Sequence, residues 1–170
     1  MDELVELLID FESYYSTSGG ISVSTQGLYN YARDTYPYIF SVVDINHPER
    51  FQFCGTPEQF CELDLPFDLD EAWPWAVNSN FDQTLWEVLF DAFKHPWQCV
   101  SDLGTHHQYP RDLARLSHAV TGENIIDKKA RNEMDGVHWN CLDLSGKTKM
   151  VTYCLSDAVT RAKTRRMPPP

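Results

Sequence analysis

The segment Glu3-Leu4-Val5-Glu6-Leu7-Leu8-Ile9-Asp10-Phe11-Glu12-Ser13 limits the fold more than any other stretch of the chain. Branched and aromatic apolar residues cluster in it, with polar residues interrupting at its far end, which is the pattern of a strand. Residues two apart on a strand project to the same face, so Asp10 and Glu12 share one side while Ile9 and Phe11 take the other. Any fold for this chain must therefore house two adjacent carboxylates at the C-terminal end of an apolar strand. A polar strand end in an acidic chain would look the same, so the pair specifies no chemistry by itself.

The rest of the chain supplies an α/β frame for that strand. After a Ser/Thr/Gly-rich stretch from Ser16 to Thr25, a second strand is expected over Tyr38 to Ile45. A third follows over Arg50 to Cys54, beyond the turn Asn46-His47-Pro48. The acidic segment Glu62 to Glu71, with Pro66 inside it, reads as a loop or frayed helix, and Trp73 to Val77 as a short buried strand. From Phe81 the period changes. Phe81, Leu85, Val88 and Leu89 recur at helical spacing behind an Asn80 N-cap, predicting a helix to about Lys94, before Pro96. Arg111 to Val120 and Lys128 to Met134 read as short helices, and Lys149 to Lys163 as a final one with Val151, Leu155, Ala158 and Ala162 on its apolar face. Strands interleaved with helices after an antiparallel start define the α/β class.

A length of 170 residues suits one domain, taken as residues 1–164 with a frayed tail over 165–170. The sequence has no apolar run long enough for a membrane span and no basic flank for a signal peptide. Its five cysteines are odd in number and lack CxxC spacing, so a cytoplasmic protein with reduced thiols is expected. The formal net charge of -11 argues against a nucleic-acid partner until its distribution is considered. Residues 1–100 hold 3 Lys/Arg against 17 Asp/Glu, whereas residues 101–170 hold 11 against 8. A phosphate-facing surface is thus expected in the C-terminal part, with Arg161, Lys163, Arg165 and Arg166 as its anchor.

Two further motifs carry candidate chemistry. Val77-Asn78-Ser79-Asn80-Phe81-Asp82 breaks from strand to helix and delivers Asp82 in the first helical turn, where an acidic residue also favours the helix dipole. Tyr153-Cys154-Leu155-Ser156-Asp157 places Tyr153 and Asp157 four residues apart on one face of the last helix. Together, Asp-x-Glu on the first strand, Asn-x-x-Phe-Asp in mid-chain and Tyr-x-x-x-Asp on the last helix resemble the three motifs of the DEDD exonuclease superfamily, in its tyrosine-bearing DEDDy (DnaQ-like) branch. In detail the resemblance is to the proofreading domains of phage and bacterial family A DNA polymerases. Gly27 to Ala32, Trp97 to Cys99, Tyr109 to Leu113 and the pair Lys128-Lys129 are similar to intervening segments of those domains. Two positions depart from that pattern: Val77 stands where His is frequent, and Cys99 where Asp or Cys is usual. Neither is a metal ligand in the family.

The resemblance implies a ribonuclease-H-like mixed five-stranded sheet flanked by helices and a metal-dependent 3′→5′ exonuclease that releases nucleoside 5′-monophosphates from single-stranded DNA 3′ ends. It implies Asp10, Glu12, Asp82 and Asp157 as metal ligands for two Mg²⁺ or Mn²⁺ ions, with Asp10 shared between them, and Tyr153 orienting the attacking water. Four carboxylates match two dications in charge. The family's domains precede a polymerase and this sequence shows none, so the expectation is a stand-alone exonuclease or the partner of a separate DNA polymerase. An exoribonuclease on the same scaffold and a catalytically idle nucleic-acid-binding module are the alternative readings. The histidines His106, His107 and His138, the last with Cys141, lack a second pair at zinc spacing. The five tryptophans are expected in the core rather than as base-stacking platforms.

Overall fold

The computed structural model describes residues 4–122 and 129–164, from residue 160 onward by backbone alone. The expected tail over 165–170, the anchor from Arg161 to Arg166, and Lys128 thus lie outside the residues whose side chains are described. Five strands form one mixed sheet in the order β3-β2-β1-β4-β5: β1 (Glu6–Ser13), β2 (Pro37–Asp44), β3 (Gln52–Gly55), β4 (Trp73–Ala76) and β5 (Gln98–Cys99). The β1/β2 and β2/β3 pairs are antiparallel, and β1/β4 and β4/β5 are parallel. This is the expected five-stranded mixed sheet; the first strand starts at Glu6, three residues after the expected Glu3, the next three lie within two residues of their expected bounds, and β5 is not read individually from the sequence.

β1 is central because it is apolar on both faces. Leu7, Ile9 and Phe11 join Phe40, Val42, Phe60, Leu85 and Trp86 in one core cluster, while Leu8 faces the other way into a second cluster with Val43, Val100, Leu116 and Ala158. A strand covered on both sides must lie inside a layered α/β sandwich. Helix α4 (Ser79–Leu89) covers the first face, and α6 (Leu113–Thr121) and α8 (Leu144–Thr164) cover the second. Among the described residues no helix is long and apolar enough to cross a membrane.

Two helices differ from expectation in ways that matter for the site. Helix α4 begins at Ser79, with Asn78 rather than Asn80 at the N-cap, and ends at Leu89 rather than near Lys94. Phe90 turns extended (φ -135°, ψ 172°), the Trp86 indole N–H donates to the Asp91 carbonyl at 2.9 Å, and Phe90 and Phe93 fold back onto the Trp86 ring, each with its centroid 4.6 Å away. Burying those two rings outweighs one more turn of helix. Helix α8 starts five residues before the expected Lys149, because Asp143 caps it by accepting from the Gly146 N–H at 2.7 Å. Its deepest seam is Met150, Cys154, Asp157 and Ala158, with Val151 and Leu155 only half-buried, so Asp157 lies on the buried face and not away from it.

Several short helices give no periodic signal: α1 (Val23–Gln26), α2 (Leu28–Asp34), α3 (Pro57–Cys61) and α5 (Val100–His106); α7 (Lys129–Asn132) falls within the helix expected over Lys128 to Met134. The third is written locally, as Thr56-Pro57-Glu58-Gln59 forms a capping box with Pro at the first helical position. Of the tryptophans, Trp86 is core, and Trp73 instead stacks on His95 at 4.5 Å.

Trp86 is 1% exposed and packs against Phe40, Phe60, Phe90 and Phe93, so Trp86→Ala should cost about 3–5 kcal/mol in urea unfolding. Val88→Ala, on the exposed face of the same helix, should stay within about 0.5 kcal/mol. Comparable losses at the two positions would contradict the assignment of the buried face.

Candidate active site

Strand alternation sends Asp10 and Glu12 to the same face of β1 as Leu8, the face that α8 crosses. A bulge between Glu12 and Ser13 then ends the regular pairing with β2. On α8, the Cys154 thiol lies against the Asp10 carbonyl, with Sγ 3.8 Å from the oxygen, which fixes the helix directly over the strand. Tyr153 and Asp157 flank that contact at helical spacing. The consequence is a group of three buried carboxylates, Asp10, Glu12 and Asp157, each offering one oxygen within 4.8 Å of the others.

Asp82 reaches the same place by another route. The parallel pairing of β1 with β4 spans Glu6 to Leu8 on β1, and β4 ends at Ala76 before the chain turns into α4. Past that point Asp82 Oδ1 accepts the Phe11 N–H at 3.0 Å. A carboxylate thus takes the place of the next strand residue, and Asp82 is held between Asp10 and Glu12 along the chain at 3% exposure. It stands outside the tight group of three yet lines the same cleft.

That cleft has a volume of about 530 Å³, and Asp10, Glu12, Asp82 and Tyr153 all line it. Its wall includes Tyr31 and Phe81, whose ring centroids are 6.2 Å apart. The Tyr31 hydroxyl donates to the Tyr14 carbonyl at 2.6 Å and lies 2.9 Å from Ser13 Oγ. Burial pushes the Tyr31 pKa up, the hydrogen bond from Ser13 opposing it, so the hydroxyl keeps its proton and stays a donor at neutral pH. All five residues singled out from the sequence, Asp10, Glu12, Asp82, Tyr153 and Asp157, therefore belong to one neighbourhood. Sequence reasoning missed Tyr31, Ser13, Tyr15 and Arg131, which line the cleft beside them. Tyr31 lies within the Gly27 to Ala32 segment, but nothing in its local pattern marks it as facing the carboxylates. His138, weighed as a zinc ligand, stacks on Tyr14 with ring centroids 4.2 Å apart.

Three carboxylates from two elements present hard oxygen ligands at close quarters, without a thiolate or imidazole in the group. Such a set is compatible with a hard divalent cation.

No protein-family model matches the sequence, and no curated protein is similar to it in sequence. Solved structures are similar in fold. NrnC of Brucella melitensis superposes with a TM-score of 0.60 at 13% identity, over 95% of this chain and 71% of that one, and it has also been solved with bound Mg²⁺. A nuclease solved in its apo form gives a TM-score of 0.58 at 14% identity, over 94% and 70% of the two chains. The EXO domain of Aedes aegypti Nibbler gives 0.57 at 11%, over 95% and 76%. With this sheet order, these likenesses define the fold as ribonuclease-H-like, as the sequence motifs implied.

Buried carboxylates this close repel one another in the folded protein and are far apart in the unfolded chain, so their repulsion opposes folding and a bound cation relieves it. A hundredfold excess of Mn²⁺ over its dissociation constant should stabilise the protein by about 2.7 kcal/mol, several degrees in melting temperature. Asp10→Asn should raise the melting temperature of the metal-free protein and shrink the Mn²⁺-induced shift. Equal shifts in the two proteins would mean that Asp10, Glu12 and Asp157 do not form one cation site.

Proposed function

We propose that this chain is a metal-dependent 3′→5′ exonuclease. The observation that carries the reading is the convergence of Asp10, Glu12 and Asp157, with Tyr153 one helical turn from Asp157, on a ribonuclease-H-like sheet. Structures that share this fold include a nuclease, an EXO domain and a protein solved with Mg²⁺, which supports the same class of chemistry.

In this reading Asp10, Glu12, Asp82 and Asp157 would hold a pair of divalent cations. Such a pair, when bound, activates a water and stabilises the leaving alkoxide of a phosphodiester. The chain's own groups do the rest. The Phe11 N–H fixes Asp82 so that its carboxylate does not swing away from β1. The rigid α8 contact holds Asp157 at a constant distance from Asp10. The hydroxyl of Tyr153, a residue that lines the cleft, would orient the attacking water by a hydrogen bond. Tyr31 and Phe81 offer an apolar wall for a base splayed out of its strand. The substrate put forward is a single-stranded 3′ end, DNA by the likeness of the motifs to polymerase proofreading domains, with a separate DNA polymerase as the partner that likeness suggests.

The test is to offer 5′-labelled single-stranded DNA and RNA with Mg²⁺, Mn²⁺ or EDTA. The expected result is a ladder shortening from the 3′ end, nucleoside 5′-monophosphate as product, and no cleavage in EDTA. A ladder on RNA alone would transfer the substrate to RNA and leave the site intact. Absence of cleavage on both would overturn the enzyme reading in favour of an idle binding module. Tyr153→Phe should lower kcat by about 10²-fold or more while keeping the Mn²⁺-induced melting shift, because only the positioning hydroxyl is lost. An unchanged kcat would remove Tyr153 from the mechanism.

A further inference from the structure

Among the described residues that line the acidic cleft, Arg131 is the one with a cationic side chain. It lies on α7, a turn of helix with no buried residue, and its placement is set by a network that reaches back to the end of β1. The Tyr15 hydroxyl donates to the Arg131 carbonyl at 2.9 Å, the Gly136 N–H donates to the Tyr15 carbonyl at 2.8 Å, and the Thr17 N–H donates to Asp135 Oδ1 at 2.8 Å. Gly136 adopts φ 73°, a conformation open to glycine, where the chain turns after these contacts. Three bonds for so short a segment hold the arginine at the rim of the cleft.

Its side chain is not spent on a partner within the fold. Among the described residues Arg33 pairs with Asp34, Lys94 with Asp70 and Glu71, Arg111 with Asp102, and Lys149 with Glu133, whereas Arg131 forms no salt bridge. It is nonetheless close enough to the carboxylates for its charge to be felt at the same groups. The Arg131 and Glu12 charges act in opposite senses on the hydroxyls of both Tyr15 and Tyr31. An exposed guanidinium facing a cleft of carboxylates, in a chain of net charge -11, needs an anionic ligand to complete it.

We propose that the Arg131 guanidinium binds a backbone phosphate of the nucleic acid, the one immediately 5′ to the phosphate that is cleaved. This rests on the nuclease reading and adds a binding residue to it. The cleaved phosphate must lie over Asp10, Glu12 and Asp157. The Arg131 carbonyl is tied to the Tyr15 hydroxyl, beyond the bulge that ends β1, which places Arg131 at the rim of the cleft with its side chain free to meet a phosphate beside the cleaved one. A terminal nucleotide removed from a 3′ end has no neighbour on its 3′ side. Any second phosphate in the cleft therefore lies on the 5′ side of the scissile one.

The experiment compares two trinucleotides, trithymidylate (or triuridylate if RNA is the substrate) and the same compound with a neutral methylphosphonate at its first linkage, cleaved at the second by wild-type protein, Arg131→Gln and Arg131→Lys. On the natural trinucleotide Arg131→Gln should raise KM about tenfold, and Arg131→Lys should recover part of that loss because it keeps the charge without the planar fork. On the methylphosphonate, wild type and Arg131→Gln should have the same KM. A loss of equal size on both substrates, or on neither, would overturn the phosphate contact while wild-type cleavage upheld the nuclease reading. So would an effect confined to stability, with Arg131→Gln lowering the metal-free melting temperature at unchanged KM, since Arg131 would then only offset the carboxylates. If wild-type protein cleaved neither trinucleotide, the nuclease reading itself would fall, and this inference with it.

Discussion

Repulsion among Asp10, Glu12 and Asp157 is the constraint to which the surrounding structure answers. Ionised carboxylate oxygens within 4.8 Å cost at least about 3 kcal/mol per pair at an effective dielectric of 20. Three such pairs amount to roughly 10 kcal/mol, comparable with the whole stability of a domain this size. A fold that keeps these groups buried and adjacent must be rigid enough not to spread them. That rigidity is visible. β1 is locked by apolar contacts on its two faces, and α8 is seated on it through Cys154, so neither element can move without emptying a core cluster.

Asp82 shows how the same economy of position is reached without another strand. The sheet stops pairing on that side of β1 after Leu8, and the orphaned Phe11 N–H would be a buried unsatisfied donor if nothing replaced β4. The Asp82 carboxylate satisfies it and so remains beside the group of three, lining the same cleft. Fold stability and site assembly share this one bond. The cleft wall is built in the same way, since the Tyr31 hydroxyl ties α2 to the end of β1 through Tyr14 while the ring faces the carboxylates.

The features legible in the sequence were those governed by local period. Alternation on Leu8-Ile9-Asp10-Phe11-Glu12 placed both carboxylates on one face, and the i, i+4 spacing of Tyr153 and Asp157 joined them on one helix. What resisted reading depends on contacts distant along the chain. Helix α4 stops at Leu89 because Phe90 and Phe93 find Trp86, and that outcome requires the three-dimensional pocket rather than any Gly or Pro signal at residue 90. The buried seam of α8 is rotated from the expected face: it keeps Ala158 and adds Asp157 while Val151 and Leu155 are only half-buried, and the apolar spacing gave no hint that a carboxylate would be drawn inward toward Asp10. Arg131 escaped notice because it belongs to a short polar helix and reaches the cleft through Tyr15, more than a hundred residues earlier. The Asp143 cap, by contrast, was written in the sequence beside Leu144 and extends α8 by more than one turn.

The account stands on three carboxylates forming one cation site, and anomalous diffraction from a crystal soaked in Mn²⁺ tests this directly. The predicted result is a Mn²⁺ peak at about 2.0–2.2 Å from carboxylate oxygens drawn from Asp10, Glu12 and Asp157, the range for a small hard cation. Peaks that appear elsewhere on this acidic chain, with none among these three residues at saturating Mn²⁺, would contradict it.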